Sequence, residues 1–312
     1  MNAYFYTDAE VGVPWQGPDY DRVDYCKQHG IAHPRFTWYD WPGWKITTNP
    51  SYADAFVTRQ RLKHLNRGQV YNLPYLDGNA HRHVFFDLGS DSDPMCWRTW
   101  DIPAIFFRSC CNREVMKINP TTVPWPWPVE DIGYRPVGEF EYDVVYQGHP
   151  IGNTATMLEG LEGSLMNIHL VHVDNFFPHV RRADPGRAAD LRKSYLLSLN
   201  KARLVLVPGG NKTGVIRYRL YETMAAGRVP VFWNDDSVLP LADKIDWGRC
   251  IVKLSESTLP HCGHHLEAWL AEHTDQQIVE MGQCARATYE KWLKRENWGT
   301  IIGNMVKERL HL

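Results

Sequence analysis

The residues of this chain best suited to chemistry crowd into one stretch, NKARLVLVPGGNKTGVIRYRLYETMAAGRVPVFWNDDSVLPLADKIDW, from Asn200 to Trp247. Gly209 and Gly210 stand in a loop, Pro208-Gly209-Gly210-Asn211-Lys212-Thr213-Gly214, after an apolar run and before a helical pattern. The amides of such a loop, and of the helix that follows, are unsatisfied donors aimed at an anion. Lys212, Arg217 and Arg219 add the positive charge a diphosphate calls for. Arg219 and Glu222 are three apart in sequence and share a helix face. That spacing suits Arg219 to a phosphate, as a forked donor, and Glu222 to the hydroxyls of a ribose, as an acceptor. Asp235 and Asp236, after the next apolar run, are placed to touch a sugar or an acceptor. Each feature alone also has an ordinary role: a surface ion pair, a turn, a cap. Their order is what points to a nucleotide-sugar pocket.

These residues need elements to hold them. Arg203 to Val207 predicts a buried strand, Val215 to Ala226 a helix, Gly227 a left-handed cap and Val229 to Trp233 the next strand. The unit is a right-handed βαβ, with the glycine loop at the carboxyl ends of its strands where ligands gather. Tyr142 to Gln147 predicts a further strand, running into a second glycine loop at Gly148 and a helix over Ala155 to Leu165, which is a Rossmann-like start. Earlier, Ala3 to Thr7 and His83 to Leu88 predict strands, and Tyr52 to Leu65 a helix or a strand-helix pair. Between the halves runs NPTTVPWPWPVEDIGYRPVG, Asn119 to Gly138, whose prolines block regular structure and mark a linker. The expected organisation is an N-terminal acceptor-side domain over 1–138, a nucleotide-sugar-binding domain over 139–274 and a helical crossover over 275–312, with Tyr289, Trp292, Leu293 and Trp298 as anchors.

The order PGG, YRLYETMAAGRVPV, DD, LPLADKIDW and IVKLSE resembles the C-terminal half of the exostosin-type glycosyltransferases. Weaker echoes, NPSYADAFVT and NLPYLDGNAHRHVFFDLGSD, extend the resemblance through the first half. It implies an α/β chain of GT-B type: two Rossmann-like domains facing a central cleft, with a C-terminal helix crossing back to the first. It also implies transfer of a sugar from a nucleoside diphosphate donor, of UDP-sugar type, to an acceptor hydroxyl, inverting and without an obligatory metal. The chain departs from the family pattern in three places. Gly209 replaces a frequent arginine, Arg217 the usual serine, and Arg228 stands where cysteine is common. Cationic charge has moved rather than vanished, so a phosphate pocket survives.

Inversion requires a base for the acceptor hydroxyl. Asp8 and Glu10 follow the first predicted strand, and Asp87, Asp91 and Asp93 the second clear one. Asp91 is preferred because it occupies the place of a downstream aspartate in the family's H-x-F…D segment, with Asp8 and Glu10 next. Asp91-Ser-Asp93 also reads as a metal-binding Asp-x-Asp. The amides and arginines of the Gly209 to Trp247 block handle phosphate without a cation, so no metal and no further cofactor is expected. His261, Cys262, His264 and His265 crowd too closely for a usual zinc spacing. His83 is either a cleft residue or a core histidine.

Composition sets outer bounds. A chain of 312 residues, 44% hydrophobic, can bury two cores, and a net charge of -2 gives no global pull toward nucleic acid or anionic membrane. Seven cysteines, with Cys110 and Cys111 adjacent, do not form a secreted disulfide framework. The sequence carries no apolar run of membrane-spanning length and opens without a signal-peptide pattern, so a soluble cytoplasmic protein of bacterial or viral origin is expected. The acceptor class stays open between a glycan or glycoconjugate and a hydroxymethylated base in DNA. Arg59, Lys63 and Arg67 would form a basic stripe if helical, and thirteen tryptophans are available for stacking. A non-catalytic sugar-nucleotide or glycan-binding module is the competing class.

Overall fold

The computed structural model describes residues 1–11, 44–61, 65, 67–87, 102–127, 129, 131–134, 138–175, 180, 183–209 and 216–312. The chain divides into two compact units, Met1–Pro126 with Arg295–Leu312, and Trp127–Lys294.

The first unit is built on β1 (Asn2–Phe5), β2 (Lys45–Ile46), β3 (Ala55–Arg61), β4 (His83–Asp87), β5 (Ile105–Arg108) and β6 (Thr122–Pro124). They form a parallel sheet in the order β2-β1-β3-β4-β5-β6. The second unit is built on β7 (Tyr142–Gly148), β8 (Ile168–His172), β9 (Ala202–Pro208), β10 (Val229–Trp233) and β11 (Val252–Leu254), parallel in the order β11-β10-β9-β7-β8. Both sheets follow one rule: the second strand lies outside the first, and the third returns on the first strand's other side. Each therefore has a topological switch point, at β1/β3 and at β7/β9, and parallel sheets bind ligands at that crevice beyond the carboxyl ends of the strands.

The central strands read as buried apolar runs, as strands of a parallel sheet covered on both faces do, whereas the edge strands β2 and β8 are more exposed. β10 is buried at every position and β9 at all but Arg203. In the first unit Tyr4, Phe56, Phe85 and Phe106 pack into one core, Phe85 stacked on Phe106 of the neighbouring strand. In the second, Val144, Leu204, Leu206, Val231 and Trp233 pack with Met157, Leu266 and Ile278 from the helices. Gly227 has the expected left-handed backbone, φ +70°, closing α6 (Tyr218–Ala225).

Within 52–65 the described residues give the end of a short 3-10 turn, Pro50–Tyr52, and β3, the strand of the expected strand-helix pair, so Arg59 lies on a strand and the helical premise of the basic stripe fails. The proline-rich segment is divided at Pro126, earlier than 138, because Asp131 is ion-paired to Arg286 at 2.5 Å and to Lys294 at 3.1 Å, tying it to the second unit. The return to the first unit begins at Arg295, later than 275: Arg203 fastens Asp275 to β9 at 2.8 Å, so α8 (Asp275–Thr288) belongs to the second sheet. The last helix, α9 (Trp298–Leu310), packs in the first unit, where the Trp44 indole donates to the Gly299 carbonyl at 2.8 Å and Trp298 meets Trp125 edge-on at 5.5 Å.

Candidate functional site

At the switch point of the second sheet, Gly148 closes β7, Pro208 closes β9 with Gly209 just after it, and Arg217 stands at the N-cap of α6. Arg219 brings these loops together. Its guanidinium carbon lies 5.1 Å from the Tyr195 ring centroid and 5.7 Å from that of Tyr146, an aromatic seat that holds a cation without neutralising it. A Cβ at Gly148 would stand 3.2 Å from Arg219 Nη1 and 2.6 Å from the Tyr146 hydroxyl oxygen, so this position has no room for a side chain. Gly209 is a close-approach glycine as well, since a Cβ there would meet the Trp233 carbonyl at 2.6 Å. The ends of β7, β9 and β10 are thereby drawn together around the start of α6.

Arg217 and Arg219 are both half-buried, and among the described residues neither forms a salt bridge to a carboxylate; burial opposes the Arg219 charge, but Tyr195, Tyr218, Tyr146 and the more distant Glu222 carboxylate raise its pKa. Burial above all, and then the charge of Arg219, pull the Arg217 pKa below its ordinary value. Two partly desolvated like charges at a helix N-terminus favour a bound anion.

Glu222 is 6% exposed and is held differently from the expected helix-face pairing with Arg219. Its Oε1 is ion-paired at 2.9 Å to Arg192 Nη1, from α5 (Pro185–Asn200). The Arg192 guanidinium also lies 5.7 Å from the Tyr195 ring, so one buried tyrosine contacts both Arg192 and Arg219. Sequence reasoning missed Arg192, Tyr195 and Tyr146. Tyr146 had a signal, two positions before Gly148 on a predicted strand; the other two sit on a helix whose contact with α6 no spacing reveals.

Asp235 accepts from the Ser255 hydroxyl at 2.8 Å and the Glu256 amide at 3.1 Å, which makes it a bracket between the loops after β10 and β11. Asp236 is exposed beside it. Arg228 leaves the pocket altogether. Buried to 1% exposure, it donates to the carbonyls of Leu199 and Asn200 at 3.0 Å and of Gly227 at 3.1 Å, fastening the ends of α5 and α6. Gly210 and Lys212 lie outside the described residues.

In the first unit, Asp91 and Asp93 lie outside the described residues. Asp8 opens α1 (Asp8–Val11) at the carboxyl end of β1, next to the first switch point. Glu10 is engaged: it accepts from the Tyr4 hydroxyl at 2.7 Å and from the Thr7 amide and hydroxyl at 2.8 Å. Desolvation works to raise its pKa, but these donors outweigh it and hold the carboxyl below its ordinary value. His83 is a core residue, stacked on Phe56 at 5.0 Å, with Nε2 2.8 Å from the Tyr6 hydroxyl and Nδ1 2.9 Å from the Asn79 carbonyl. Burial lowers its pKa to about 4. Among the described residues no group of three or more His, Cys, Asp or Glu side chains could hold a metal, and no helix is long and apolar enough to cross a membrane. Cys262 is buried and donates to the Met157 carbonyl.

No family model matches the chain. It is similar to the Exostosin-1 homolog of Caenorhabditis elegans, 27% identical over 96 residues, which make up 31% of this chain and 24% of that protein. The chain thus matches about a quarter of the length of that curated relative. Among solved structures it is similar to a glycosyltransferase from Rickettsia africae, 10% identical over 99% of this chain and 98% of that one, with a TM-score of 0.49. A second is Anabaena Alr3699/HepE in complex with UDP-glucose, 10% identical over 100% and 99% of the two chains, TM-score 0.49. A third is the DNA modifying enzyme beta-glucosyltransferase, 11% identical over the full length of both chains, TM-score 0.41. At these identities and scores the structural likenesses assign no activity.

Proposed function

We propose that the chain is a glycosyltransferase that moves a sugar from a nucleoside diphosphate donor, of UDP-sugar type, to the hydroxyl of a glycan or glycoconjugate. One observation carries this reading: a half-buried pair of arginines that, among the described residues, form no salt bridge to a carboxylate, at the switch point of the second sheet and one helical turn from a buried glutamate. A diphosphate would supply negative charge beside the pair, and a ribose on the same nucleotide would bring its hydroxyls to Glu222. Gly148, Gly209, Arg217 and Arg219 form the diphosphate seat; Gly210 and Lys212, which lie outside the described residues, are the further candidates by sequence.

In the reaction, the acceptor oxygen forms a bond to the anomeric carbon as that carbon's bond to the diphosphate oxygen breaks, with inversion. The acceptor proton passes to a carboxylate, with Asp91 the first choice and Asp8 the second. The charge that builds on the departing diphosphate is met by Arg217, Arg219 and the amides at the start of α6, fixed donors that need no reorganisation. This division of labour needs no divalent cation.

A donor panel tests the reading. Wild-type protein should transfer or slowly hydrolyse a UDP-sugar, in excess EDTA as well as without it. Arg219→Ala and Glu222→Ala should weaken donor binding, whereas Asp91→Ala should spare binding and lower turnover. Binding without any transfer or hydrolysis across the panel would leave a non-catalytic module, and activity that requires manganese would return the role to Asp91-Ser-Asp93. Strongly salt-dependent binding to duplex DNA would move the acceptor to nucleic acid.

A further inference from the structure

The Arg192–Glu222 ion pair has no place in the diphosphate seat, yet it joins α5 to α6 at the residue one turn from Arg219. Arg192 reaches across from α5 with 29% of its side chain exposed, while the Glu222 side chain beneath it is 8% exposed. A carboxylate that deeply covered, with one oxygen committed to a fixed guanidinium at 2.9 Å, has its orientation determined by the partner. The same Arg192 packs against Tyr195, whose ring also seats Arg219, so its own position is fixed by the core that builds the site.

We infer that Arg192 is a positioning residue for nucleoside recognition: it aims the Glu222 carboxylate at the hydroxyls of the ribose and thereby sets the preference for an intact ribose. This inference rests on the nucleotide reading of the site. Arg192 acts through Glu222 and has no direct part in holding phosphate, which separates it from Arg217 and Arg219. The consequence is specific. Loss of Arg192 should reduce affinity for ligands that carry the ribose hydroxyls and leave ligands without them almost unaffected.

Titration calorimetry with UDP and with 2′,3′-dideoxy-UDP, on wild type and Arg192→Ala, reads this directly. Wild type should bind UDP on the order of tenfold more tightly than the dideoxy compound, as expected for hydrogen bonds to a charged acceptor. In Arg192→Ala that ratio should fall to about one through loss of UDP affinity, with dideoxy-UDP bound within about twofold of wild type. Arg192→Lys, which keeps a cation beside Glu222, should recover part of the ratio, and Glu222→Gln, with Arg192 intact, should lose it as Arg192→Ala does. Equal weakening of both ligands by Arg192→Ala would overturn the inference, since Arg192 would then act on phosphate or on the fold. Tighter UDP binding would overturn it as well, because Arg192 would then occupy the place of the ribose hydroxyls. If wild type binds neither compound, the nucleotide reading falls and takes this inference with it, an outcome distinct from a preserved ratio in the variant.

Discussion

Replacing Gly148 with alanine probes the join between the two halves of the candidate site. The added methyl would lie 2.6 Å from the Tyr146 hydroxyl oxygen, 3.0 Å from its ring carbon Cζ and 3.2 Å from Arg219 Nη1. Ordinary carbon contacts begin near 3.4 Å, so the Tyr146 ring must retreat by several tenths of an ångström. That ring is 3% exposed and packed within the second core, and overpacking of this kind costs about 1–3 kcal/mol. Alanine also narrows the unfolded ensemble, which offsets about 0.4–1 kcal/mol of the loss. The net destabilisation should lower the melting temperature by roughly 2–8 °C for a unit of this size. A second effect is local, because Arg219 loses its seat. If that removes one charge-assisted hydrogen bond to the diphosphate, worth about 1.5–3 kcal/mol, UDP affinity falls roughly tenfold to a hundredfold. Calorimetric UDP titration of Gly148→Ala, Arg219→Ala and the double variant separates the two effects. The double variant should bind UDP no more weakly than Arg219→Ala, while the melting-temperature loss from Gly148→Ala persists. Wild-type UDP affinity in folded Gly148→Ala, or an undiminished loss in the Arg219→Ala background, would refute the placement of Gly148 beside the bound diphosphate.

His83 should make the protein acid-sensitive. Its folded pKa of about 4 lies below the ordinary 6.5, so its contribution is fully present above pH 6.5 and is lost as pH falls from there through about 4. The span corresponds to about 3 kcal/mol, and urea unfolding of His83→Gln between pH 4 and 7 should show a correspondingly shallower pH slope; an unchanged slope would contradict the burial argument. Arg228→Ala should remove about 3 kcal/mol of stability by leaving the carbonyls at the ends of α5 and α6 without their charged donor, read as a drop of roughly 6–12 °C in melting temperature. Folded Arg228→Ala should still bind UDP within about twofold of wild type, and a large loss of affinity would return Arg228 to the pocket.

The βαβ core of the second unit was legible because several signals agreed. Two apolar runs, a glycine at the helix end and a proline-glycine break all called for the same elements, and Val229 to Trp233 forms β10 as predicted. The role of Arg228 was not legible in the sequence, because its side chain meets the Leu199 and Asn200 carbonyls at the end of α5, a contact set by packing rather than spacing. The 52–65 segment was ambiguous because Arg59, Gln60 and Arg61 carry no strand preference, and pairing of β3 between β1 and β4 decided the matter. Glu222 was found by type and spacing, but its partner was not. An ion pair between α5 and α6 depends on how two helices pack, and periodicity along either one holds no record of that.

The central claim is that the arginine pair at the β7/β9 switch point receives a nucleoside diphosphate. Isothermal titration of UDP into wild type, Arg217→Ala and Arg219→Ala, in EDTA, tests it most directly. The account predicts saturable one-site binding by wild type and a loss of roughly tenfold or more in each variant without a matching loss of melting temperature. Metal-free wild type that fails to bind UDP, or variants that bind it as tightly as wild type, would contradict it.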